Sequence, residues 1–174
     1  QICQQKSYPK VGVVGEIFLK FNPFAQKDIT TWLIDRGIEV VPPLMTDFFM
    51  QSFVNMKVNQ DSHIKKKYIP DFAIDWLYGK VQKQIDKINK IGKAFLYFQP
   101  FENIYEKAEK AKQVISLNTQ FGEGWLIAGE MSSFASQGIN HVISLQPFGC
   151  IANHIVEKGI EKRIKSVYPQ INIL

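Results

Sequence analysis

The stretch PKVGVVGEIFLKFNPFAQKDITTWLIDRGIEVVPP, residues 9–43, constrains the fold of this chain more than any other. A β-branched run stops at Gly15, and Phe24, Ile29, Trp32 and Leu33 then recur at helical spacing before Gly37. IEVV follows and ends at Pro42 and Pro43, which cannot extend a ladder of hydrogen bonds. Strand, helix and strand in this order imply a parallel pair joined by a right-handed crossover. The pattern returns at the far end, where INHVISLQP reads as a strand, CIANHIVEKGIEKRIKSVYP as a helix stopped by Pro169, and INIL as a last strand. The expected fold is α/β: a three-layer domain of Rossmann or flavodoxin type with a mainly parallel sheet of about four strands, over 11–15, 38–41, 141–145 and 171–174. One domain is expected to span 1–174, since 174 residues with 45% hydrophobic side chains make a single buried core.

Between the two ends the pattern is mostly helical. Phe49, Phe53 and Met56 fit one helix face and are expected in the core, while NQDSHIKKKY reads as a loop. A long helix is expected from about Asp71 to Lys90, with Val81, Ile85, Ile88 and Ile91 on its apolar side and Lys80, Lys83, Lys87 and Lys90 as a basic stripe. KAFLYFQPF is too short to assign. ENIYEKAEKAKQVISL carries Ile104, Ala108, Ala111 and Ile115 on one face of an amphipathic helix, and GEGWLIAGEMSSFASQG gives another helix closing at Gly138.

The net charge of +5 raises nucleic acid as a partner, but no basic and aromatic residues interleave as a stacking platform for bases, so none is expected. The lysine stripe is a solvated face or a dock for an acidic partner. No apolar run approaches the roughly 20 residues that span a bilayer, and no membrane association is expected. Two cysteines, Cys3 and Cys150, are too few for a disulfide scaffold and point to a reducing, cytoplasmic setting. A strand ending on the last residue and a front beginning QIC read as a piece cut from a longer protein.

In an open parallel sheet, ligands bind beyond the carboxyl ends of the strands where the strand order reverses. GEIFLKFNPF and QPFGC are placed there. Gly15 permits a tight turn, and Glu16 either points into that crevice or sits as a carboxylate at a helix start. Neither a dinucleotide fingerprint nor a phosphate loop occurs. Glu123, Ile127, Glu130 and Phe134 share one helix face; the two carboxylates either line one cleft about 10 Å apart or, as spacing alone favours, cap the helix start and face water respectively. His154 follows Cys150 at i+4, a spacing that would fit a metal or a thiol-based enzyme, but a structural zinc needs four ligands. Cys150 opens a helix, whose dipole favours a thiolate; the alternative is a cysteine packed as a small hydrophobe.

VGVVGEIFLKFNPFAQKDITTWLIDRGIEVVPP, FGEGWLIAGEM and LQPFGCIANHIVEKGIEKRIKSVYPQINIL together resemble the dehydratase-like region of the 2-hydroxyglutaryl-CoA dehydratase and benzoyl-CoA reductase superfamily, in its large fusions with CoA-substrate-specific enzyme activases. The resemblance runs from about Lys10 to Leu174 and is thin over 46–100. It implies an ATPase half, absent from this sequence, that feeds low-potential electrons to a dehydratase-like half bearing an iron–sulfur cluster. In the dehydratases that electron makes a ketyl radical anion from a 2-hydroxyacyl thioester, and water is lost. The cysteine of PFGC matches a cluster ligand, which makes Cys150 a candidate iron ligand, of [4Fe–4S] type, in an oxygen-sensitive, anaerobic chemistry. Gly15, Glu16, Asn22, Glu123, Trp125, Gln146, Phe148 and Gly149 are then expected to line the crevice around it. A cluster needs about three or four thiolates, so the chain alone is expected to be a catalytically silent half-site, with ATP entering only through the activase domain and an acyl-CoA as candidate substrate. The rival expectation is a non-catalytic module that docks the ATPase half.

Overall fold

The computed structural model describes residues 7–64, 69–96 and 98–174, with backbone alone at 151–153. Four strands form one sheet: β1 (Lys10–Gly15), β2 (Glu39–Val41), β3 (His141–Leu145) and β4 (Asn172–Ile173). All pair in parallel in the order β2-β1-β3-β4, as the α/β reading requires. This is the start of the flavodoxin-type strand order, with its reversal between β1 and β3. Val13 and Val14 of β1 are both buried although they face opposite sides, because a central parallel strand is covered on both faces.

Seven helices among the described residues complete the chain: α1 (Ile17–Phe21), α2 (Ile29–Ile34), α3 (Met45–Asp61), α4 (Asp71–Gly92), α5 (Ile104–Lys112), α6 (Gly124–Ser136) and α7 (Ile151–Val167). α6 is the central one. Its residues from Gly124 to Ala135 are all buried, Glu130 and two serines among a mostly apolar set, and it packs against β1, α5 and α7. Ile127, Ala128 and Met131 are fully enclosed there.

Several expectations are corrected. The single helix foreseen between Gly15 and Gly37 is two short ones, because Asn22, Pro23 and the left-handed Lys27 and Asp28 interrupt it; Phe24 and Trp32 are left exposed and Leu33 alone of the four apolar positions is fully buried. Helix α3 runs through Asn59, Gln60 and Asp61 into what reads as a loop, while 65–68 lie outside the described residues. Phe53 is core but Phe49 is exposed. On α4 the inward stripe is Ile74, Tyr78, Val81 and Ile85, and Ile88 and Ile91 face out. Tyr78 packs edge-on against both Phe53 and Tyr105, which ties α4 to α3 and α5. Among the described residues no helix is long and apolar enough to cross a membrane.

Candidate functional site

The carboxyl ends of β1 and β3 lie side by side, with Gly15 paired to Leu145. Gly15 has φ +112, and a Cβ there would stand 2.1 Å from the Leu145 carbonyl oxygen, so only glycine fits. The next amide, Glu16, donates to that same oxygen at 3.0 Å. Chain direction then diverges: β1 enters α1 at once, whereas β3 continues through Gln146, Pro147, Phe148 and Gly149 to Cys150, the residue that opens α7.

Both carboxylates near α1 serve its amino end. Glu16 caps it, accepting from the Leu19 amide at 2.9 Å, and Glu123 reaches across from the start of α6 to accept from the Ile17 amide at 2.8 Å. Two anions on the exposed N–H groups of a helix start satisfy its donors and its dipole. Glu16 is thus a helix-start carboxylate, placed where β1 ends beside Leu145 of β3. The picture of Glu123 and Glu130 as one cleft or as cap and surface residue is corrected. Glu123 caps a different helix from its own, and Glu130 is buried against Lys20 of α1, its Oε1 accepting at 3.0 Å. Burial pushes the Glu130 carboxyl above its ordinary range, with Lys20 pulling the other way.

Gly15, Glu16, Gln146, Phe148, Gly149 and Cys150 thus gather at the reversal point. Asn22 and Trp125 do not. Asn22 ends α1 and accepts from the Ala25 amide at 3.2 Å, shaping the turn that follows. Trp125 is wholly enclosed in the core and donates from Nε1 to Asn55 at 2.8 Å. Gln146 leans back on Ser144, donating from Nε2 at 3.4 Å, and Phe148 stands fully in solvent with its ring edge-on to His154.

Cys150 is half-buried and is a free thiol. Gly149, at φ +84, turns the chain so that Cys150 takes an extended conformation, and the Cys150 carbonyl accepts the His154 amide as the first bond of α7. Its side chain makes no capping bond. Farther along α7, Glu157 is buried near Ser144 of β3; burial raises its carboxyl, and its Oε2 has no partner among the described residues. Among the described residues no group of three or more His, Cys, Asp or Glu side chains converges on a metal position, so Cys150 and His154 form no zinc site with them. Cys150 is also the single thiol among them, and Cys3 lies outside the described residues. One thiolate fits one corner of an iron–sulfur cluster and cannot hold it alone.

Sequence reasoning missed the charged interior altogether. Lys20 of α1, Glu130 of α6, Asp47 of α3 and Lys107 of α5 are all buried, with Lys107 paired to Asp47 and Lys20 to Glu130. Both lysines look like surface residues in FLKF and YEKAEK. The one available signal was Asp47 and Glu130 standing inside apolar runs.

No family model, curated protein or solved structure matches this chain.

Proposed function

We propose that this chain is the cluster-binding, dehydratase-like domain of an ATP-driven, low-potential electron-transfer enzyme acting on an acyl-CoA, and that Cys150 is the iron ligand it contributes. The observation that carries this reading is the position of Cys150: a half-buried thiol, free of any capping bond, at a helix start beside the strand-order reversal. A ligand bound there meets the open end of the sheet, and the first amides of α7 lie nearest to the negative charge of a thiolate. The remaining thiolates come from Cys3 or from a partner domain, since the described residues supply one. Such a cluster supplies the low-potential electron. This chain's own residues do the rest: Gly149 aims Cys150, Glu16 and Glu123 lock α1 against the neighbouring strand end, and Phe148 offers an apolar surface for whatever closes the crevice.

The test is protection of one sulfur. In protein purified without oxygen, Cys150 resists iodoacetamide, and chelating the iron under oxidising conditions opens it to alkylation, read by peptide mass. Rapid alkylation of Cys150 in protein that retains its full iron content contradicts the assignment.

A second reading, a module that docks the ATPase half, is favoured by the outer face of α4. Lys80, Lys83, Lys87 and Lys90 are exposed there beside Phe72 and Trp76, and Lys80 lies over the Trp76 ring. Acidic residues of α4 lie on another flank, where Asp75 pairs with Lys57 and Asp86 with Gln82. The two readings are compatible, since a domain that receives an electron has to hold its donor.

A further inference from the structure

Past the carboxyl end of β2 lies a cavity of about 60 Å³ that neither the crevice at Cys150 nor the α4 lysines use. Its inner wall carries the buried Asp47–Lys107 pair and Glu130. Two buried oxygens on its lining have no partner among the described residues: Oγ of Ser133, a residue 4% exposed, and Oε2 of Glu102. Ser133 stands on the same α6 face as Glu130 and Gln137, which also line the cavity, so its hydroxyl faces the space. Buried oxygens of this kind are disfavoured without a donor to meet them, because a desolvated polar atom is then left uncompensated.

The cavity opens outward. Gln99, Pro100, Phe101, Glu102 and Gln137 are shared with an open groove of about 480 Å³ along α4. The groove is built rather than incidental: Asn89 of α4 clasps the Phe101 backbone twice, donating to its carbonyl at 3.0 Å and accepting from its amide at 2.8 Å. Its other walls bear Asp86 and Glu106, neither of which pairs with a lysine or arginine among the described residues. Among the described residues no cation lines the groove, and Lys107 in the inner cavity is already neutralised by Asp47. Glu102 keeps one oxygen for Lys110 and presents the other inward.

The outer groove is lined by carboxylates and amides with Pro100 and Phe101 as its apolar part, the inner cavity adds Val41, Pro42, Pro43, Leu44 and Phe134, and the partnerless oxygens between them select a donor-rich cation carried on an apolar stem. We propose that this groove and cavity bind a primary alkylammonium, its head bonded to Glu102 Oε2 and Ser133 Oγ and its outer part facing Asp86 and Glu106. The phosphates of a CoA ester would meet those same carboxylates and be repelled, so this is a site separate from any acyl-CoA position, and its existence does not depend on the cluster reading. The alkylammonium is either a free small amine or the side chain of a lysine.

Calorimetric titration of the intact chain decides the matter, using putrescine, its uncharged isostere butanediol, the dianion glutarate, and a lysine blocked at both backbone ends. Putrescine or the blocked lysine is expected to bind saturably, with binding weakened by salt. Whichever of the two is tighter identifies the source, while butanediol and glutarate stay silent. Glu102→Gln is expected to weaken amine binding by about tenfold or more, the scale of one hydrogen bond to a charged group. Should that variant fail to fold by circular dichroism, Asp86→Asn combined with Glu106→Gln, both at exposed positions, is expected to weaken it severalfold. The proposal is overturned by the absence of saturable amine binding, by butanediol binding as well as putrescine, or by unchanged affinity in a folded variant.

Discussion

Lys20 Nζ sits 3.0 Å from Oε1 and 3.2 Å from Oε2 of Glu130, with only 4% and 1% of the two side chains exposed. This pair fastens the short α1 to the central helix α6 and so fixes the strand end from which Glu16 departs. Desolvating two charges costs several kcal/mol per ion, and the attraction between them offsets that only while both are present.

Lys20→Met is therefore expected to cost about 3–5 kcal/mol at neutral pH, because it strands a buried carboxylate. Urea denaturation measures this. The loss shrinks on acidification. Burial already raises the Glu130 carboxyl from its ordinary 4.5, and removing the lysine raises it further. Once the pH falls through that raised value Glu130 takes up a proton and no longer needs a counterion. Adding Glu130→Leu to Lys20→Met recovers most of the loss at neutral pH, since an apolar pair carries no desolvation cost. An equal cost at every pH contradicts this account.

Glu157 follows the same sign, with Lys158 nearby in place of a closed ion pair. Its carboxyl is raised by burial, with Ser144 opposing, so the native state holds a proton more readily than the unfolded chain does. That contribution to stability is fully present below the unfolded value, near 4.5, and is lost as pH rises through the native one. Glu157→Gln removes the dependence. Relative to the wild type, the variant gains stability between mildly acidic and neutral pH, read as a difference of urea midpoints. A wild type that instead gains on the variant as pH rises is the contrary result.

The basic face of α4 yields a charge-reversal prediction. Lys83→Glu together with Lys87→Glu leaves the melting temperature within a few degrees of the wild type, because both side chains are exposed. If α4 docks the ATPase half, the substitution abolishes co-purification of that half and leaves iron content unchanged. Retained co-purification removes α4 from the interface.

How much of this was legible in the sequence depends on which force fixed each part. The sheet was, since β1 carries Val13 and Val14 buried on opposite faces, β3 is the largely apolar run HVISL, and Gly15, Pro42 and Pro147 stop β1, β2 and β3 where backbone chemistry alone sets the limits. The placement of Cys150 at a helix start followed from the glycine before it and the periodicity after it. What stayed hidden is tertiary. Glu123 caps a helix more than a hundred residues away in sequence, at a separation of 106, and nothing local marks that partner. Trp125 follows Glu123 by two residues but points into the core, toward Asn55. Lys20 and Lys107 have the local context of surface lysines and are buried only because an acid on another helix meets each of them.

The central claim is that Cys150 holds iron. The most direct measurement is iron and acid-labile sulfide per chain in the whole protein prepared without oxygen, in wild type, Cys150→Ala and Cys3→Ala. Loss of iron and sulfide together in Cys150→Ala, with the fold intact by circular dichroism, is the result expected, and loss in Cys3→Ala as well makes that residue a second ligand. Full iron and sulfide in Cys150→Ala would contradict the claim and return Cys150 to the structural role of a half-buried residue at the start of α7.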